Sequence, residues 1–252
     1  MTDHILIERA GDTGAINLIR FNRPEKKNAI TRDMYSAMAR ALIEGERDDA
    51  VRVHVMLGTP GVFTSGNDMQ DFMAVAMGGA GGTEVFDFLG SLANTAKPVI
   101  SGVDGLAIGI GTTVHMHCDM TFATPESRFH TPFTDLALVP EAASSLLAPA
   151  AMGHQKAFAL LAAGIPFSGE EAERAGLIYK TVSAEELEPA VFAAASHLAQ
   201  KPPQALAISR RLVRQDSAPV IARMREEAEH FSNQLKSAEA LAAFQAFMAR
   251  KK

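Results

Sequence analysis

Short β-rich runs and longer helical stretches alternate along the chain. Residues 4–8 and 15–20 flank Gly11-Asp12-Thr13-Gly14, a pattern that predicts an opening hairpin. Thr31 stands where it can cap a helix reaching about Glu44, with Met34, Met38, Ala41 and Leu42 on one face. Val51, Val53, Val55 and Leu57 alternate with Arg52, His54 and Met56, the period of a strand. Further strands are expected at residues 98–103, 119–123 and 177–182, with helices between them. That order predicts βαβ units and a parallel sheet. The second half is mostly helical. Ser168 with Glu171, and Ser183 with Glu186, fit the capping box. From Pro219 onward Ile221, Met224, Ala228, Phe231 and Leu235 recur at helical spacing, and Leu241, Phe244 and Met248 continue the apolar face. Such stripes either pack back on the core or join subunits. Gly78-Gly79-Ala80-Gly81-Gly82 predicts a mobile loop.

Composition narrows the function class. With 252 residues, 47% of them hydrophobic and 21% charged, the chain can bury a sizeable core. A net charge of −5 offers no nucleic-acid-binding face, and the basic end Ala249-Arg250-Lys251-Lys252 reads as a solvated helix end. Cys118 stands alone, which favours a reducing compartment. Met1-Thr2-Asp3-His4 has no signal-peptide character, the last residues are not a Ser-Lys-Leu address, and no apolar run approaches the ~20 residues of a membrane span. A cytoplasmic protein is the expectation.

Three segments carry candidate chemistry. Glu141 closes His130-Thr131-Pro132-Phe133-Thr134-Asp135-Leu136-Ala137-Leu138-Val139-Pro140-Glu141 and is followed by Ala142 and Ala143. A carboxylate among apolar neighbours is costly to bury ionised, so its pKa rises toward the range a general base needs. An exposed Glu in the first turn of a helix is the plainer alternative. Upstream, the strand ending at Leu57 runs into Gly58-Thr59-Pro60-Gly61-Val62-Phe63-Thr64-Ser65-Gly66-Asn67-Asp68. Residues 97–111 repeat the form, with Gly105-Leu106-Ala107-Ile108-Gly109-Ile110-Gly111 at the turn. Two strand–glycine–helix turns on one sheet can aim two backbone N–H groups at one oxygen, the arrangement that stabilises an oxyanion. The alternative is that the glycines only permit tight turns.

Together with Asn22-Arg23-Pro24-Glu25-Lys26-Lys27-Asn28-Ala29, these blocks resemble the enoyl-CoA hydratase/isomerase (crotonase) superfamily, from Asn22 to the C-terminal helices. The block from His130 to Ser145 is most similar to the monofunctional Δ3,Δ2-enoyl-CoA isomerases of peroxisomal type. The resemblance implies an α/β fold of crotonase type, a twisted ββα-repeat core over residues 1–200 and a C-terminal helical oligomerisation region over residues 201–252. It implies Glu141 as the group that moves the proton, the N–H groups of Asn67 and Ile110 as oxyanion donors, and CoA contacts at Lys26, Ser65, Asn67 and Asp68. CoA then belongs to the substrate, no metal or redox cofactor is required, and the partner is a second and third copy in a trimer or a dimer of trimers.

Departures from the family pattern shape the expectation further. Hydratases use two glutamates, and those positions hold Thr113 and Phe133 here, so ordinary two-carboxylate hydration is disfavoured. Gln70 replaces a lysine often found after the first turn. Ile110 replaces a glycine, and its side chain is expected to narrow the acyl pocket. The function implied is double-bond migration in an enoyl-CoA; a hydratase managing with one carboxylate and a non-catalytic CoA-thioester binder are the alternatives. His115-Met116-His117-Cys118-Asp119 looks like a metal cluster, but residues two apart on a helix do not share a face. Gly109-Ile110-Gly111-Thr112-Thr113-Val114 lacks the third small residue of a dinucleotide fingerprint, and P-loop and Gly-x-Ser-x-Gly patterns are absent. His130 is expected to serve packing or hydrogen bonding. Phe72, Met73, Phe86 and Phe88 are expected in the core or along an acyl pocket.

Overall fold

The expected hairpin opens the fold: β1 (Ile5–Ala10) pairs antiparallel with β2 (Ile16–Phe21). A computed structural model describes residues 2–76, 82–214 and 216–249. After the hairpin come α1 (Arg32–Arg47), β3 (Val53–Leu57), β4 (Val62–Thr64), α2 (Met69–Ala76), α3 (Glu84–Asn94), β5 (Val99–Val103), β6 (Leu106–Ile108), α4 (Ile110–Thr113) and β7 (Met120–Ala123). The second half holds β8 (Arg128–His130), α5 (Ser144–Met152), α6 (His154–Leu161), β9 (Phe167–Ser168), α7 (Gly169–Ala175) and β10 (Lys180–Thr181). Four helices close the chain: α8 (Ala184–Ala199), α9 (Pro203–Arg214), α10 (Ser217–Leu235) and α11 (Ala238–Ala249). Most of the glycine run, residues 78–81, lies outside the described residues, as do the side chains of Phe72 and Met248.

Two sheets organise these elements. The larger has the order β1-β2-β3-β5-β7-β10, parallel beyond the hairpin, and the smaller has the order β4-β6-β8-β9. In β3 the alternation of Val with His54 and Met56 does not separate inside from outside. All five residues are buried, because β3 lies between β2 and β5 with apolar layers on both faces. Met56 joins the main core with Ile19, Val99 and Val103, while Val53, Val55 and Leu57 face Leu187, Val191 and Ala195 of α8. His54 stays inside by sharing a hydrogen bond with Asn17 Nδ2 (3.0 Å). The strand expected at 177–182 shrinks to Lys180–Thr181; Leu177 and Ile178 are buried in the turn that follows Gly176 instead.

Helix caps follow the sequence with one exception. Thr31 accepts from Met34 N, and Ser168 with Glu171 forms a full capping box. Ser183 instead donates its hydroxyl to Glu186 Oε2 (3.2 Å) and makes no side-chain cap. Part of the C-terminal apolar stripe is satisfied within the chain: Met224, Leu235 and Phe244 are buried in the main core, whereas Ala228 is exposed. None of α9 is buried. Among the described residues, no helix is long and apolar enough to cross a membrane.

Candidate active site

Three adjacent parallel strands of the smaller sheet deliver the three segments of interest. β4 pairs with β6, and β6 with β8, so the chain leaves their carboxyl ends side by side. Ligand sites in α/β sheets favour that edge. The turn after β4 is Ser65-Gly66-Asn67, that after β6 is Gly109-Ile110, and β8 leads toward Glu141. Glycine is needed where the first two turns touch. Gly66 has φ +90°, and a Cβ there would lie 2.9 Å from the Ile108 carbonyl; a Cβ on Gly111 would meet Thr64 Cγ2 at 2.5 Å.

The N–H of Asn67 and that of Ile110 have no hydrogen-bond partner among the described residues. Ile110 is the first residue of α4, where a helix leaves its N–H groups unsatisfied. The turn beneath it is fixed by Gly109 N–H donating to the His130 carbonyl (2.8 Å). The Ile110 side chain is packed in the main core, 2% exposed. Phe133 and Phe88 are core residues too.

The Asn22–Ala29 motif braces the first turn. Lys27 and Asn28 take left-handed backbone angles after the short Pro24–Lys26 turn. Asn28 is fully buried and donates Nδ2 to the Thr59 hydroxyl and to the carbonyls of Val62 and Phe63. Ser65 N–H donates to the Lys27 carbonyl, and Ile30 N–H to the Gly66 carbonyl. Lys26 is thereby presented exposed beside Ser65. Tyr35 donates its hydroxyl to Asn67 Oδ1 (2.5 Å), which ties the Asn67 side chain to α1.

Asp68, expected among the CoA contacts, has another use. Its carboxylate accepts from Arg23 Nη1 (2.6 Å) and from Gln70 N–H (2.9 Å). Both carboxylate oxygens are engaged within the fold.

Glu141 is half-buried and lies ahead of α5, not in its first turn. Its Oε1 accepts from the hydroxyl of Thr113 at 2.5 Å. Burial pushes its pKa up to about 8; the Thr113 hydrogen bond opposes the shift, and the Glu227 carboxylate adds to it. Thr113, which stands where the family pattern has a glutamate, holds the remaining one, a pairing that no local sequence pattern marks. Glu227 and Tyr35 were missed altogether. Glu227 carried one visible signal, an acidic residue three after Met224 and four before Phe231 on the apolar face of its helix.

The residues that mimic a metal cluster are each engaged elsewhere. His115 Nδ1 meets the Ser101 hydroxyl at 2.9 Å, His117 Nε2 meets the Ala142 carbonyl, and Asp119 accepts from Arg210 Nε at 2.8 Å. Burial holds His115 neutral, near 3. His130 is half-buried, with its pKa lowered first by burial.

Comparison with known proteins agrees with this geometry. The family model described as enoyl-CoA hydratase/isomerase matches residues 11–252. Enoyl-CoA delta isomerase 2 of Rattus norvegicus is 33% identical over 85% of this chain and 56% of its own length, so the chain spans just over half of that relative. The 1,2-epoxyphenylacetyl-CoA isomerase of Escherichia coli K12 is 31% identical over 77% of each chain. Among solved structures, Pseudomonas aeruginosa OdaA superposes with a TM-score of 0.91 at 39% identity, over 98% of this chain and 99% of that one. An enoyl-CoA hydratase/isomerase from Pseudoalteromonas atlantica T6c gives 0.92 at 34% identity, over 98% of each. A family match over nearly the whole chain, together with three strand ends that carry two N–H groups unpaired among the described residues and one half-buried carboxyl, makes this protein a member of the enoyl-CoA hydratase/isomerase family, with the crotonase-type α/β fold.

Proposed function

We propose that the protein is an enoyl-CoA isomerase that moves a double bond from the 3,4 to the 2,3 position of an acyl-CoA. One observation carries this reading: among the described residues, Glu141 is hydrogen-bonded by the neutral hydroxyl of Thr113, the residue that stands where the family's hydratases carry a second glutamate. Moving a proton from C2 to C4 needs one group that first takes and then returns it. Glu141 removes the C2 proton, and the C–H electron pair flows into a dienolate whose charge rests on the thioester oxygen. The N–H groups of Asn67 and Ile110 hold that oxygen. Return of the proton to C4 shifts the double bond and restores the thioester. Lys26, exposed beside Ser65, meets the CoA phosphates, and the carbonyls of Ser65 and Asn67 meet the adenine. No metal or redox group enters the scheme.

Incubation with 3-enoyl-CoA is expected to give 2-enoyl-CoA of unchanged mass. A product heavier by one water makes the enzyme a hydratase, and no turnover of either substrate leaves a binding protein. With isomerase activity in hand, kcat/KM should rise with pH to a half-maximum near 8, where Glu141 is half ionised, and level off above it. A limb in the ordinary carboxylate range near 4.5 would show that Glu141 is not the titrating base.

For assembly, the relevant apolar surface is on α9, where Ile208, Leu212 and Val213 are 52%, 74% and 83% exposed. Side chains of this size are worth about 1.5–3 kcal/mol each when buried, which favours a closed homotrimer or hexamer built through residues 201–252. Sedimentation is expected to show that assembly; a stable, fully active monomer at micromolar concentration would rule it out.

A further inference from the structure

The backbone that carries Glu141 is held in an unfavourable shape. Ala142 and Ala143 both have positive φ, 60° and 55°, in the left-handed region that alanine rarely adopts. The same two residues lead directly into α5, whose N-cap is Ala143, a residue with no side chain able to cap. Something outside the turn must hold it. On one side His117 does so. Its Nε2 lies 2.7 Å from the Ala142 carbonyl, which can only accept, so the proton is on Nε2. On the other side stands Glu227 of α10, 6% exposed. Its carboxylate accepts from Ala143 N–H (2.6 Å), from Ser145 N–H (3.0 Å) and from the Ser145 hydroxyl (2.5 Å). A carboxylate at a helix N-terminus is favoured by the helix dipole as well as by these bonds.

We propose that Glu227 is the positioning residue for Glu141: it caps α5 from a distant helix, clamps the Ala142–Ala143 turn against His117, and so fixes the carboxyl that moves the proton. The proposal rests on Glu141 being the base. Burial raises the pKa of Glu227 itself, against the bonds from Ser145 and Ala143 and the charge of Arg223, and in its ionised form it makes Glu141 harder to ionise. The groups that face this pair are few. Glu141 is bonded by Thr113 of α4 and lies in the field of Glu227 of α10, while Tyr35 of α1 lies in the fields of both Glu141 and Asp71. Glu227 meets Ser145 of α5 and Arg223 of its own helix; Arg223 donates to the Ser145 hydroxyl and pairs with the exposed Glu226.

The test compares E227Q with E226Q, E141Q and the wild-type enzyme. Glutamine fills the same space but loses the charge and sets an amide donor against donors. In E227Q, kcat is expected to fall about 10- to 100-fold, the scale of a displaced catalytic group, with KM for the acyl-CoA little changed. The acid limb of kcat/KM should move to lower pH, a change that loss of fold alone would not produce. E226Q should match wild type. Wild-type kcat and an unmoved limb in a folded E227Q overturn the proposal while leaving the base assignment intact, provided E141Q is inactive. An active E141Q overturns the base assignment itself. Should E227Q not fold, E227D carries the test: charge kept and reach shortened, it should lose about 10-fold in kcat with the limb in place, and wild-type kcat there would sink the idea.

Discussion

If Glu141 is the base as proposed, replacing it with Gln is expected to lower turnover of 3-enoyl-CoA about 10²-fold or more, the usual scale for a general base, while acyl-CoA binding is kept. Glutamine preserves the shape and can still accept from the Thr113 hydroxyl, but it cannot take a proton from C2. The same substitution should raise thermal stability. A carboxyl whose pKa is about 8 when folded and near 4.5 when unfolded holds its proton more tightly in the folded state. Its contribution to stability is therefore complete below the unfolded value and is lost as pH rises through about 8. Glutamine, neutral throughout, avoids that loss. The melting temperature of E141Q should exceed that of wild type by a margin that widens between pH 4.5 and 8 and is constant above. Steady-state kinetics and melting curves across this range check both halves. Near wild-type turnover removes Glu141 from the mechanism, and a margin independent of pH shows that its carboxyl is not held neutral by burial.

Asn67→Pro should cost on the order of 10²–10³ in rate, as loss of an oxyanion donor does, because the ring removes the N–H. Asn67→Ala keeps that N–H and should retain most of the rate. It does not leave the site untouched. The Tyr35 hydroxyl, on a side chain 1% exposed, loses its partner at Asn67 Oδ1. An unpaired buried polar group costs about 1–3 kcal/mol, so the alanine variant should melt lower while turning over at near the wild-type rate. Circular dichroism must show the proline variant folded, since Ile30 and Asp68 bond across this turn. If both variants are equally inactive, the side chain and not the backbone is the working part.

What the sequence disclosed and what it hid divide along sequence distance. The hairpin, the Thr31 cap and the two glycine turns depend on residues close together in the chain, and each was legible. The alternation at Val53–Leu57 was legible as a strand but misleading about burial, since period two cannot tell water from a second apolar layer. The ion pair of Asp68 was not legible because its partner, Arg23, lies on another segment. Tyr35 and Glu227 reach the site from helices far away in the chain, and nothing local marks them beyond one acidic residue on an apolar face.

The clamp on Ala142–Ala143 also orders events in time. α10 follows every strand in the chain, so a nascent polypeptide can complete both sheets while Glu227 is still unmade. Until that helix docks, two alanines must hold left-handed angles without the carboxylate that holds α5, each at about 1–2 kcal/mol. Completion of the sheets and docking of Glu227 on this turn are thus separate in the order of synthesis, and the second comes later. A chain interrupted between α9 and α10 would carry every residue of the three strand-end segments and still lack the Glu227 carboxylate that bonds Ala143 and Ser145.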